Sequence, residues 1–72
     1  MIRLAMVEIT LNGAPLQLEA PLVVADLLAA QGLAGKRVAV ERNGEIVPRS
    51  QHSHAMVAAG DRLEIVVAVG GG

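Results

Sequence analysis

Two Asn-Gly dipeptides constrain the fold of this 72-residue chain more than any other feature, because each lies between short runs of β-forming residues. Asn and Gly both tolerate the positive φ angles of a tight two-residue turn. Around the first dipeptide, every second residue is apolar, which is the period of a half-buried strand; these residues are Val7, Ile9, Leu11, Leu16 and Leu18. The second dipeptide lies between Val38-Val40 and Ile46-Val47, ahead of Pro48, which ends the strand or restricts it to an edge. The sequence therefore predicts two β-hairpins.

A short amphipathic helix is predicted between the hairpins, over residues 23–31. One face has the spacing i, i+3, i+4, i+7 and consists of apolar Val24, Leu27 and Leu28, followed by Gln31. Gly32 is placed to end the helix in a left-handed cap. Val23 occupies the position where a Ser, Thr or Asp cap is usual, and we expect this to cost about 1 kcal/mol.

The last predicted strand has the clearest alternation in the chain, with Leu63, Ile65, Val67 and Val69 on its inward side. Between Pro48 and this strand, residues 49–54 are predicted to form a polar loop or a single helical turn. Met56 and Val57 are then expected to enter the core. A sheet of four to five strands with one helix across one face buries these stripes together, so the predicted class is α+β. We expect residues 1–72 to form one domain.

Composition excludes several kinds of function. The chain has no cysteine, so disulfides and thiolate chemistry are ruled out, and it has no aromatic residue with which to stack on bases. Its net charge of -1 does not favour nucleic-acid binding. We find neither a membrane-length apolar run nor a signal peptide, so we expect the chain in the cytoplasm. When free of partners, we expect it to be a monomer. His52 and His54 lack an obvious third metal ligand, and we predict exposed loop histidines and no metal site.

The glycines at the end of the sequence carry the strongest functional hypothesis. Gly70, Gly71 and Gly72 follow the last strand, and three extended residues reach about 10 Å. Without Cβ atoms they can enter a narrow cleft in a partner enzyme. A carboxylate on Gly72 is a poor electrophile, so it reacts only after another protein activates it. A frayed, flexible tail over residues 70–72 is the alternative interpretation.

The chain resembles the sulfur-carrier proteins of thiamine biosynthesis, a ubiquitin-like β-grasp family. The resemblance covers residues 6–72 and is most specific over residues 37–49 and 60–66, together with the terminal Gly71-Gly72. Weaker agreement extends over residues 7–13 and 24–28. Residues 1–5 precede the usual start of the family at Met6, and we interpret them as an N-terminal extension.

The resemblance implies a reaction cycle in which the protein is a co-substrate and not an enzyme. A ubiquitin-activating-like adenylyltransferase would use ATP and Mg²⁺ to adenylate Gly72. Sulfur from a donor such as a cysteine desulfurase would convert the adenylate to a thiocarboxylate, and thiazole synthase would accept the sulfur. Gly70 and Gly71 would provide the thin approach to each active site. The chain itself would bind no cofactor.

The outward side of the last strand is a candidate docking surface for these partners. Val66 and Ala68 are predicted to face away from the core, and exposed apolar patches often mark interfaces. Arg62 and Glu64 would add polar contacts at the same surface. Cover by a loop or by the N-terminal extension is the alternative interpretation.

Four other functions share parts of this pattern. A molybdopterin or cysteine-biosynthesis sulfur carrier would have the same fold and the same tail chemistry. A ubiquitin-like protein modifier would form isopeptide bonds through Gly72. A plain binding module would have an inert tail and would keep its binding when Gly72 is removed.

Overall fold

The structure is a computed structural model, and it describes residues 6–68. The described part contains seven strands, one α-helix and a single turn of 3-10 helix. In chain order they are β1 (Val7–Leu11), β2 (Ala14–Leu18), β3 (Leu22–Val23), α1 (Val24–Ala30), β4 (Val38–Arg42), β5 (Glu45–Val47), the 3-10 turn (Arg49–Gln51), β6 (Met56–Val57) and β7 (Arg62–Val67).

Both predicted hairpins are confirmed. Strands β1 and β2 pair antiparallel from Val7↔Leu18 to Leu11↔Ala14, and β4 and β5 pair from Val40↔Val47 to Arg42↔Glu45. The turn residues have positive φ angles throughout: 51° at Asn12, 84° at Gly13, 53° at Asn43 and 85° at Gly44. Positive φ at both central residues matches the right-handed twist of the flanking strands, which is why Asn-Gly is favoured there.

Strand β7 lies at the centre of a mixed five-stranded sheet with the order β2-β1-β7-β4-β5. It runs parallel to β1, with Leu11 opposite Leu63, and antiparallel to β4, from Val38↔Val67 to Arg42↔Leu63. The five strands and the helix confirm the predicted α+β class and the β-grasp architecture. Strand β7 therefore has a paired neighbour on each edge.

The helix begins without a side-chain cap, as Val23 predicts. Backbone carbonyls supply the missing acceptors: the amide of Val24 donates to the carbonyl of Ala55 (2.9 Å), and the amide of Ala25 donates to that of His52 (2.8 Å). Two of the free donors at the helix N-terminus are thereby satisfied. The carbonyls of His52 and Ala55 therefore replace the side-chain acceptor that a capping residue would provide.

The helix ends as predicted, with Gly32 in the left-handed region at φ 75°. The amide of Leu33 returns to the carbonyl of Leu28 (2.8 Å), and that of Gly32 bonds to Ala29 (3.0 Å). Leu33 packs, half-buried, against the core cluster. These contacts satisfy the last carbonyls and end the helix within one residue of the predicted boundary.

The core lies between α1 and the inward face of the sheet. Its most deeply buried side chains come from the helix, the five-stranded sheet and the short strand β6: Ile9, Val24, Leu27, Val40, Val57 and Leu63. One prediction about this core was wrong. Met56 is 47% exposed although Val57 is fully buried, because β6 presents only one of its two residues inward. Val67 is 37% exposed, since it lies at the end of β7.

Candidate functional site

The candidate site is the end of β7, from which the chain continues towards the three glycines. Gly70, Gly71 and Gly72 lie outside the described residues, as do residues 1–5 of the predicted extension. Their predicted roles remain predictions. The structure instead shows how residues 61–68, which lead to the glycines, are held.

The β4 side holds the end of β7 through the backbone. Val67 is paired with Val38, and the amide of Ala68 donates to the carbonyl of Arg37 (2.9 Å). The antiparallel pairing therefore continues one residue past the strand itself. As a result, the base of the C-terminal segment has a defined position next to the start of β4.

The β1 side holds the same strand through a side chain. Strand β1 ends at Leu11, but the amide side chain of Asn12 continues the pairing: Oδ1 accepts from the Ile65 amide (2.8 Å) and Nδ2 donates to the Ile65 carbonyl (3.3 Å). The backbone amide of Asn12 donates to Leu63 (2.9 Å). Asn12 is thus a turn residue whose side chain also makes the two hydrogen bonds to Ile65 that a further residue of β1 would make through its backbone.

Asn43 plays the corresponding role at the beginning of β7. Its backbone amide donates to the Arg62 carbonyl (2.7 Å), and its Oδ1 accepts from the Arg62 amide (2.9 Å). Its Nδ2 donates to Oδ1 of Asp61 (3.1 Å), whose other oxygen accepts from the Ala58 amide (2.9 Å). Sequence reasoning identified both asparagines as turn formers and missed their contacts with β7. Those contacts join residues about twenty and fifty positions apart, and no local pattern signals them.

The outward face of β7 has the predicted orientation. Arg62, Glu64 and Val66 are exposed and alternate with buried Leu63 and Ile65. Val66 is 65% exposed, a large fraction for an apolar side chain. Its partner on the neighbouring strand is the small residue Ala39. Ala68 is exposed as well. The four residues predicted to contact partners are therefore accessible among the described residues, and their binding role stays a prediction.

Charge on this face is unevenly distributed. Glu64 lies directly opposite Glu41 in the antiparallel ladder, and Glu41 lies opposite exposed Ile46 on its other side. Like charges at directly opposed positions destabilise a sheet. A partner that brings a positive charge to this pair would relieve the repulsion. The face therefore combines an apolar part near the C-terminal segment with a charged part further along β7, where Arg62 lies two residues from Glu64.

The histidine pair is not a metal site in the described residues. His52 is buried, contrary to the predicted exposed loop, and its Nε2 lies 3.1 Å from the Val47 carbonyl. His54 is exposed. Between residues 6 and 68, no group of three or more His, Asp or Glu side chains is arranged to hold a metal ion.

Within the same residues, no helix has the length and apolar character that a membrane crossing requires.

Comparisons with a family model, with curated proteins and with solved structures all point to thiamine biosynthesis. The model of the ThiS family matches residues 8–72. Among curated proteins, a thiazole synthase of Paramagnetospirillum magneticum is 43% identical over 65 residues, and one of Magnetococcus marinus is 38% identical over 65 residues. Each alignment covers 90% of this chain and 20% of the relative. The chain thus spans about a fifth of the length of the curated relatives it matches.

Solved structures agree with the fold. The crystal structure of the thiamine biosynthesis protein (ThiS) from Geobacter metallireducens has a TM-score of 0.79 and 35% identity, and the match covers 92% of this chain and 100% of that one. The NMR structure of a thiamine biosynthesis protein from the same organism has a TM-score of 0.75 and 35% identity, with 92% and 88% of the two chains covered.

Proposed function

This chain belongs to the ThiS family, and on that basis we propose that it carries sulfur for the thiazole ring of thiamine, as a protein co-substrate and not as an enzyme. The observation that carries the proposal is the extent of the family match, which runs through the three glycines to Gly72. The fold supports it, because β7 is held by β4 on one side and by Asn12 on the other. A rigid strand thereby leads to residues without side chains, which is the geometry that a carrier needs.

The proposed chemistry takes place at the Gly72 carbonyl. Its carboxylate oxygen attacks the α-phosphate of ATP, which releases pyrophosphate and gives an acyl-adenylate. A sulfide-level sulfur nucleophile then attacks the carbonyl and expels AMP, which leaves a thiocarboxylate. In the acceptor enzyme, the sulfur forms a bond to a carbon of the thiazole precursor and its bond to the Gly72 carbonyl carbon breaks. An oxygen from the precursor or from water restores the Gly72 carboxylate. ATP and Mg²⁺ belong to the activating partner.

Three partners follow from this cycle. A ubiquitin-activating-like adenylyltransferase would form the adenylate. A cysteine desulfurase would supply sulfur as a persulfide, which a thiol acting as two-electron reductant would bring to the sulfide level. Thiazole synthase would accept it, and the curated relatives that carry this name support that assignment. We propose that Val66 and Ala68 provide apolar contact next to the C-terminal segment, with Arg62 and Glu64 fixing the register.

The test is mass spectrometry after incubation with ATP, Mg²⁺, a sulfide source and the cognate adenylyltransferase. Replacing oxygen by sulfur adds nearly the same mass as oxidising one of the three methionines. Fragmentation must therefore place the added mass on Gly72. Because the chain has no cysteine, a thiol-selective alkylating reagent labels only the thiocarboxylate, and untreated protein is the control.

Each outcome has a definite meaning. Sulfur on Gly72 that thiazole synthase consumes supports the proposal. Sulfur on Gly72 that only another acceptor consumes would make the chain a carrier for a different pathway. Conjugates on lysines would make it a protein modifier, and an unmodified Gly72 with an active adenylyltransferase would refute carriage. Intact-mass analysis of the protein from its natural host shows whether Gly72 carries a free carboxylate there.

A further inference from the structure

A small groove lies on the helix side of the sheet, opposite the face that carries Val66. It is bounded by α1, the loop after it, the first residue of β4 and the 3-10 turn. Its apolar part is formed by Leu28, Leu33 and Val38. Its volume is about 240 Å³. Sites for small molecules and cofactors usually enclose about 300–1,000 Å³. The groove therefore suits one aliphatic side chain of a partner protein better than a cofactor.

The edge of the groove is strongly basic. Lys36, Arg37 and Arg49 line it, and all three are exposed. They are half of the six Lys and Arg residues in a chain whose net charge is -1. No Asp or Glu lines the groove within the described part of the chain. This charge is complementary to an acidic segment, and such complementarity mainly determines which partner binds and how fast.

The groove adjoins the base of the C-terminal segment. The carbonyl of Arg37 accepts the hydrogen bond from the Ala68 amide, and Val38 in the groove is paired with Val67. A protein seated in the groove would therefore contact the carrier right beside the point at which residues 69–72 begin. That position suits an enzyme whose active site must receive Gly72.

We infer that this groove docks an acidic segment of the sulfur acceptor, thiazole synthase, in which carboxylates flank an aliphatic side chain. The inference rests on the proposed function. Two enzymes must bind the same carrier in turn, and the chain offers two different surfaces beside the C-terminal segment: this basic groove and the outward apolar surface of Val66 and Ala68.

The curated relatives favour the acceptor as the occupant. Thiazole synthases of two organisms contain a segment like this chain within about a fifth of their length. When carrier and acceptor belong to one polypeptide, a high effective concentration makes weak docking sufficient. A small groove edged by exposed charges gives weak, salt-sensitive binding of that kind.

The test measures the affinity of the full-length carrier for thiazole synthase by calorimetry at low and at high salt. Lys36→Gln and Arg49→Gln each remove one positive charge from the groove. Ala20→Glu, at an exposed position after β2, lowers the net charge by the same amount and is the matched control. We expect each groove variant to lose roughly three- to tenfold in affinity at low salt, with a shallower salt dependence. We expect the control to bind like the unmodified chain.

A second variant tests the apolar part of the groove. Ala34 lines the groove and is exposed, so Ala34→Met fills the space without removing core atoms or changing charge. We expect it to weaken binding to the synthase and to leave the circular-dichroism melting curve unchanged.

Formation of the thiocarboxylate by the adenylyltransferase is measured in parallel on every variant. We expect it to be unaffected. If the unmodified chain acquires sulfur and binds thiazole synthase but all groove variants bind equally well, the groove assignment is wrong and the proposed function stands. If the variants impair thiocarboxylate formation instead, the occupant is the activating enzyme and the inference is overturned. If the unmodified chain neither acquires sulfur nor binds the synthase, the proposed function fails and the inference fails with it.

Discussion

Replacing Asn12 by glycine tests whether a turn side chain holds the strand that leads to the C-terminal segment. Glycine keeps the positive φ of 51° at this position at no steric cost, so the turn is retained. The substitution removes the two hydrogen bonds with the Ile65 backbone, at 2.8 and 3.3 Å. The backbone bond from Asn12 to Leu63 remains available.

The magnitude follows from these contacts. A typical hydrogen bond contributes about 0.5–1.5 kcal/mol net, and both bonds are partly exposed, so water replaces some of what is lost. We therefore expect the free energy of unfolding to fall by about 1–2 kcal/mol. For a domain of this size, each 1 kcal/mol lowers Tm by about 4–8 °C.

The assay must suit a chain without aromatic residues, so unfolding is followed by far-UV circular dichroism or calorimetry. Hydrogen exchange adds the local measurement. We expect the Ile65 amide to lose protection more than the Val40 amide, which lies in the ladder between β4 and β5. Asn12→Asp is the matched variant, because it keeps an acceptor for the Ile65 amide and loses the donor. An unchanged Tm together with unchanged exchange at Ile65 would refute the reasoning.

Three further predictions concern function and charge. Gly72→Val is expected to abolish thiocarboxylate formation and leave Tm unchanged, because the residue lies beyond β7; undiminished sulfur transfer would contradict this. Val66→Asp places a charge on an exposed apolar site, and we expect weaker binding of the adenylyltransferase in calorimetry with an unchanged melting curve; equal affinity would disprove the docking role. Glu64→Gln removes the repulsion with Glu41 and is expected to stabilise the chain by about 0.2–1 kcal/mol, an effect that shrinks at high salt. The exposed Glu19→Gln is its control, and an equal gain in both variants would show that the opposed pair is not the cause.

The hairpins and the helix could be predicted because their signals are local. Alternation of apolar residues, Asn-Gly at each turn and Gly32 after the helix act over a few residues, and each operates in the structure as expected. The α+β class followed from the order of these elements. The outward orientation of Arg62, Glu64 and Val66 followed from the period of two along β7.

The predictions that were wrong concern residues whose environment is made by distant segments. His52 is buried because the segment after the 3-10 turn folds over the start of α1 and caps it. Met56 is exposed because β6 has only two residues, and it pairs with β3 through Val23↔Met56. Neither the burial of His52 nor the pairing of β6 with β3 is signalled by a periodic pattern in the sequence.

The sequence by itself determined the elements, the inward and outward faces and the family, because these depend on spacing along the chain and on motifs read in order. Only the tertiary structure decided what holds β7. The amides of Asn12 and Asn43 bond to residues 53 and 19 positions away. The basic groove forms where α1, its following loop, the start of β4 and the 3-10 turn meet. Such contacts depend on which segments become neighbours in space, and that is decided when the whole core is buried at once.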